Sequence, residues 1–222
     1  WFVFLRPLGL RLSGKSTLVN LIPRFYDAAS GQVLVDGTDV KEYSLDELRD
    51  KTGVVPQKSV LFKGTLRDNM RWGKQDASDE EIYRALDTAQ AREFVDSKGE
   101  GLDLYIDQGG HNLSGGQRQR LTIARALVRR PEILIMDDSA SALDFATDAR
   151  LRKAIRENTG DMTVFIVSQR ATTIKSADTI LVLDEGRLAG MGTHKELLKD
   201  CQVYREICLS QLSKEEVERD EQ

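Results

Sequence analysis

The stretch Leu113-Ser114-Gly115-Gly116-Gln117-Arg118-Gln119-Arg120 opens a helical pattern that leads into the apolar strand Ile133-Leu134-Ile135-Met136-Asp137. Ser114 stands where a helix N-cap belongs, and the glycines after it let a backbone come close to an anion at the helix N-terminus. Upstream, Gly9-Leu10-Arg11-Leu12-Ser13-Gly14-Lys15-Ser16 satisfies the phosphate-loop pattern G-x-x-x-x-G-K-[ST], with Thr17 next. That chemistry needs backbone N–H groups curled around phosphates, a Lys at the β/γ oxygens and a hydroxyl for Mg²⁺. Asp137 ends its strand as a carboxylate that can hold the metal through water.

Around these pieces the elements alternate as in an α/β protein. Trp1 to Leu5 is a short apolar run, and a helix begins near Gly14 carrying Leu18, Leu21 and Ile22. Gln32 to Val35 reads as a strand ending in the turn Asp36-Gly37. Ser44 with Glu47, and Ser78 with Glu81, give capping boxes. Gly53-Val54-Val55 is a buried strand ending at Pro56-Gln57. From about Phe62 to Arg130 strand signals vanish, and helical spacing (Ile82, Ala85, Leu86, Ala89) replaces them. Strands resume at Ile133–Asp137, Thr163–Val167 and Thr179–Leu183, and Thr193 caps a helix through Leu198. The spacing predicts one domain over 1–212, with a core of 1–61 and 131–212 and a helical subdomain of about 62–130. A charged tail, 213–222, is expected to be frayed and solvated.

Composition narrows the function. With 222 residues the chain can bury one sizeable core, and a net charge of -4 argues against nonspecific nucleic-acid binding. It contains no uninterrupted apolar stretch of about 18 residues, the length a membrane-crossing helix needs. Cys201 and Cys208 read as reduced, partly buried thiols without metal-site spacing. The chain starts at Trp1, with no signal-peptide shape, and reads as a piece of something longer. His111 reads as a solvated loop residue and His194 as a helix-start residue.

The phosphate loop, the Ser114–Gln117 run and the Asp137 strand, in this order, resemble the nucleotide-binding domain of an ABC transporter. Phe62-Lys63-Gly64-Thr65-Leu66-Arg67-Asp68-Asn69 resembles the exporter type. The resemblance covers about Ser13 to Leu212, and the strand run before it, broken by Arg6-Pro7-Leu8, departs from the family. It implies a P-loop (RecA-like) parallel-sheet core with an inserted α-helical subdomain, its N-terminal strands truncated. It also implies ATP and Mg²⁺ as ligands, transmembrane domains and a second nucleotide-binding domain as partners, and a place on the cytoplasmic face of a membrane.

Residue by residue, the resemblance gives Gly9, Ser13, Gly14, Lys15, Ser16 and Thr17 to the phosphates, and Ser16 and Asp137 to Mg²⁺. Gln57 takes the position that reaches the metal and the attacking water. Ser114, Gly115, Gly116 and Gln117 form the signature motif, which in the family closes on ATP held by the opposite domain; Asp144 ends the loop that follows Asp137. Upstream, Leu104-Tyr105-Ile106-Asp107-Gln108 departs from the family's acidic loop, and Leu12 stands where the family has Gly.

Two positions depart from the pattern inside the chemistry itself. Asp138 stands where the family carries its catalytic Glu, and Gln169 where it carries its switch His. Asp keeps the charge with one methylene less; Gln can hydrogen-bond but cannot carry a proton near neutral pH. Both changes beside an intact signature motif resemble the degenerate half of a heterodimeric exporter, implying a non-identical half-transporter as partner. Two other readings stay open, a regulatory ATPase unconnected to a membrane and an inactive gene fragment.

Overall fold

The computed structural model describes residues 2–5 (backbone), 14–139 and 142–221. These fall into two compact units, one of 1–49, 135–138 and 163–222, the other of 50–134 and 139–162.

The first unit is built on a sheet. Phe2–Leu5 lies centrally, parallel to Thr163–Val167 on one side and to Thr179–Asp184 on the other. Arg187–Gly192 closes that edge antiparallel, and Ile133–Asp137 follows Thr163–Val167 in the sheet order. Val164, Ile166, Ile180 and Val182 are buried, and Phe165 and Leu181, on the opposite face of each strand, are half-buried. Asp36 and Gly37, with φ of 50° and 79°, make the hairpin turn between Leu34–Val35 and Thr38–Asp39.

Two expectations change in this unit. The helix after Gly14 is only Lys15–Val19, and Leu21 and Ile22 continue as turns. The last i→i−4 bond is from Asn20 N–H to Ser16, Leu21 and Ile22 bond three residues back, and Pro23 has no N–H with which to resume the ladder. The charged C-terminus is not frayed: Lys214–Glu221 is a helix, started by reciprocal bonds between Ser213 and Glu216, with Val217 1% exposed. One apolar side chain and the ion pairs Lys175–Asp220 and Arg205–Glu221 dock it, and residue-by-residue polarity conceals that.

The second unit is mainly helical. Its helices include Leu66–Arg71, Asp79–Thr88, Arg92–Ser97, Gly115–Leu127 and Phe145–Asn158. Leu66, Met70, Ile82, Leu86, Leu121 and Ile123 are fully buried within it. The strand Thr52–Val55 and the first two residues of the strand Ile133–Asp137 also belong to this unit. Strand pairing is not absent between Phe62 and Arg130: Gly64–Thr65 and Tyr105–Ile106 pair antiparallel. Two residues are too few to show an alternating pattern in sequence.

Candidate functional site

In the first unit the left-handed backbone of Gly14 (φ 76°, ψ 4°) turns the chain into the helix Lys15–Val19. Among the described residues a Cβ there would meet nothing within 4 Å, and the positive φ is what calls for glycine. Lys15, first in the helix, is 7% exposed, whereas Ser16 and Thr17 are exposed. The Ser16 hydroxyl donates to Asp137 Oδ1 at 2.9 Å across 121 positions of sequence. Gly9, Leu12 and Ser13 lie outside the described residues.

This pair fits a magnesium ion chemically. A hydroxyl and a carboxylate in contact are two hard oxygen ligands, and Mg²⁺ takes few protein ligands, filling its shell with water and phosphate. Among the described residues no group of three His, Cys, Asp or Glu side chains could hold a metal by itself.

Asp138 follows immediately, with the left-handed φ of 47°. Asp adopts this region more readily than most residues, and a non-glycine residue held there is a mark of local constraint. Its N–H donates to the carbonyl of Val167 at 2.9 Å, which places it beside the end of the strand leading to Gln169. Gln169 is half-buried, and Ser168 Oγ accepts from Arg170 N–H at 3.1 Å in the same loop. The structure thus brings Ser16, Asp137, Asp138 and the Gln169 loop to neighbouring strand ends of one unit.

The other candidates sit in the second unit. Gln57 is exposed just beyond Thr52–Val55. Ser114 is the N-cap of Gly115–Leu127: its Oγ accepts from Gln117 N–H, and Gln117 Oε1 accepts from Ser114 N–H at 2.9 Å. Capping uses a lone pair of the hydroxyl and leaves its proton for another acceptor. Gly115 and Gly116 hold first-turn N–H groups with no carbonyl four residues back inside the helix. A Cβ on Gly116 would come within 3.4 Å of the Ala142 carbonyl, so the start of this helix and the chain just before Asp144 are close neighbours. Asp144 caps Phe145–Asn158, accepting from the N–H and hydroxyl of Thr147, and these bonds hold its carboxyl below the usual range.

Sequence reading missed the braces behind these residues. Arg118 donates to the carbonyls of Leu113 (2.7 Å) and Gly110 (3.2 Å), and Asn112 bonds both Asp107 N–H and the Tyr105 carbonyl. An Arg one turn into a helix that follows a Gly-rich loop was the available signal. His111 is exposed in that loop, and both cysteines are free and buried.

A phosphate-binding turn, a hydroxyl–carboxylate pair at the strand ends and a Ser-capped Gly-Gly-Gln helix are the parts of a P-loop nucleotide-binding domain. The ABC transporter family model matches residues 8–141, and the chain belongs to that family. The match starts at residue 8, earlier than Ser13. An uncharacterized ABC transporter ATP-binding protein of Mycobacterium tuberculosis (strain H37Rv) is 49% identical over 202 residues, 90% of this chain and 34% of the relative. A putative multidrug export ATP-binding/permease protein of Bacillus subtilis, YgaD, is 42% identical over 200 residues, 90% of this chain and 34% of its own length. Among solved structures, a bacterial Atm1-family ABC exporter with ATP bound superposes with a TM-score of 0.90 at 38% identity, over 96% of this chain and 37% of that one. The chain spans about a third of the length of the curated relatives it matches.

Proposed function

We propose that this chain is the ATP-binding domain of an ABC exporter whose own ATP site is catalytically poor and whose signature motif serves a partner's competent site. The observation that carries the reading is an asymmetry. Ser114 is capped with its proton free to donate and Gly115 and Gly116 present open N–H groups, while Asp138 and Gln169 replace the family's Glu and His.

In this reading Lys15 meets the β/γ oxygens, and Gly14 to Thr17 direct their N–H groups at them. Ser16 and Asp137 hold Mg²⁺, which supplies charge neutralisation at the phosphates when bound. Hydrolysis joins a water oxygen to the γ-phosphorus as the bond to the β–γ bridging oxygen breaks, giving ADP and phosphate. A carboxylate must orient that water and take its proton. Asp138 is one methylene shorter than Glu, and a misplacement of about 1 Å can cost about 10²-fold. Gln57 and Gln169 orient groups without moving charge.

The partners in this reading are membrane-spanning domains and a second, non-identical nucleotide-binding domain, with the assembly at the cytoplasmic face of a membrane. No helix among the described residues is long and apolar enough to cross one. Support for a protein partner comes from the exposed pair Phe62 and Trp72, ring centroids 4.9 Å apart, with Trp72 69% exposed and Val60 also exposed. The test uses the assembled transporter. Ser114→Arg abolishes most ATP turnover and Asp138→Ala leaves most of it; the opposite ranking reverses the assignment.

A further inference from the structure

The switch loop is held by a residue from far along the chain. The side chain of Gln211 accepts from the Ala171 N–H through Oε1 at 3.0 Å and donates through Nε2 to the Gln169 carbonyl at 2.7 Å. One planar amide therefore satisfies a donor and an acceptor two residues apart, on either side of Arg170. We propose that Gln211 is a positioning residue that sets the backbone of Gln169, and through it the reach of the Gln169 side chain. This rests on reading Gln169 as the residue that meets the γ-phosphate.

The need for Gln211 follows from local geometry. Ala171 opens the four-residue helix Ala171–Ile174, so its N–H has no partner inside that helix. Ala171 is 1% exposed, so water cannot readily replace Gln211 as acceptor. The matched polarity is selective: Glu at 211 could accept from Ala171 but could not donate to the Gln169 carbonyl, and Leu could do neither.

Gln211 is itself anchored. It follows the helix Gln202–Leu209, and its own N–H and that of Leu212 both donate to the Cys208 carbonyl, at 3.0 and 2.8 Å. The next helix, Lys214–Glu221, brings Asp220 to Lys175, just past Ile174. The C-terminal segment thus grips both ends of the stretch 169–175. No other part of the proposed chemistry uses Gln211.

The test compares the full chain with Gln211→Leu, Gln211→Glu and Gln169→Ala. Hydrogen exchange across 169–175 reads the clamp without nucleotide, and affinities for Mg²⁺ with a non-hydrolysable ATP analogue or with ADP read its purpose. In Gln211→Leu, exchange at Ala171 rises and the ATP-analogue affinity falls roughly 3- to 10-fold, the weight of one or two neutral hydrogen bonds, with ADP affinity unchanged. Gln211→Glu keeps Ala171 protected but loses the same ATP preference. Adding Gln211→Leu to Gln169→Ala has no further effect on that preference. Unchanged exchange at Ala171, or equal losses for ATP analogue and ADP, overturns the proposal. If Gln169→Ala shifts the ATP-to-ADP ratio and Gln211→Leu does not, the proposal alone fails. If Gln169→Ala leaves the ratio unchanged, the γ-phosphate reading of Gln169 fails and the positioning role falls with it.

Discussion

The N–H of Asp138 donates to the carbonyl of Val167, so the residue after Asp137 is tied to the strand that ends two residues before Gln169. With φ at 47°, that tie holds Asp138 in a left-handed backbone. Asn shares Asp's tolerance for this region; a β-branched residue does not. Asp138→Asn is expected to unfold in urea within about 0.5 kcal/mol of the parent. Asp138→Val is expected to lose about 1–3 kcal/mol to backbone strain. Equal midpoints for the two variants would show that the constraint carries no energy.

The bond from Ser16 to Asp137 makes a second prediction, about metal removal. If these two oxygens hold Mg²⁺, chelation should weaken ATP binding in the parent about tenfold or more, the scale of a hydrogen bond to a charged group. In Ser16→Ala the same chelation should cost much less, because part of the metal's hold is already gone. Calorimetric titration with and without EDTA measures both. An undiminished chelation effect in Ser16→Ala would remove Ser16 from the metal site.

Ser114 serves as cap and, in the proposed function, as donor to a phosphate on another domain, and two substitutions separate those roles. Ser114→Ala should cost about 1 kcal/mol of stability through the lost cap. Ser114→Asp retains a capping oxygen and should unfold near the parent's midpoint. In the assembled transporter Ser114→Asp should nonetheless reduce turnover more than Ser114→Ala, because it sets a negative charge against the partner's phosphate. Thermal melts and ATPase rates on the same variants decide the point.

The docking of the C-terminal helix predicts a pH dependence. His194 is buried, its Nδ1 2.6 Å from the Tyr204 hydroxyl and its Nε2 3.3 Å from Asp220 Oδ2. A neutral imidazole with the proton on Nε2 satisfies both, and burial keeps the Tyr204 hydroxyl protonated as a donor. Burial is the main effect on His194 and lowers its pKa, outweighing the attraction of Asp220; Lys175 lowers it further. The unfolded chain therefore binds the extra proton first, at its ordinary value of about 6.5. Stability is complete above that value and falls as pH drops below it. Urea midpoints at pH 7.5 and 5.5 should differ in that direction, and His194→Gln should flatten the difference.

What could be read from the sequence was local. The Ser44–Glu47 and Ser78–Glu81 boxes, the Asp36-Gly37 turn and the strand Ile133–Asp137 depend on neighbours within a few residues, and the structure forms each of them. The features that escaped depend on distant partners. The helix Lys214–Glu221 is stabilised by Lys175, His194 and Arg205, none of which its own composition reveals. Gln211 meets the Gln169 loop across 42 positions, and nothing near either residue marks the pair. The Gly14 turn into Lys15–Val19 and the helix capped by Ser114 were legible because each carries most of its geometry in a short run.

The two compact units also divide the motifs. One holds Lys15, Ser16, Asp137, Asp138 and Gln169; the other holds Gln57, Ser114 to Gln117 and Asp144. Effects of substitutions at sites without shared partners add independently. In the proposed function, natural variation can wear away Asp138 and Gln169 while selection keeps Ser114 to Gln117, so a gene copy with little turnover of its own would still have a heritable reason to persist. Duplicated genes can diverge into unequal but mutually dependent products by this route, with no intermediate in which both sets must change together.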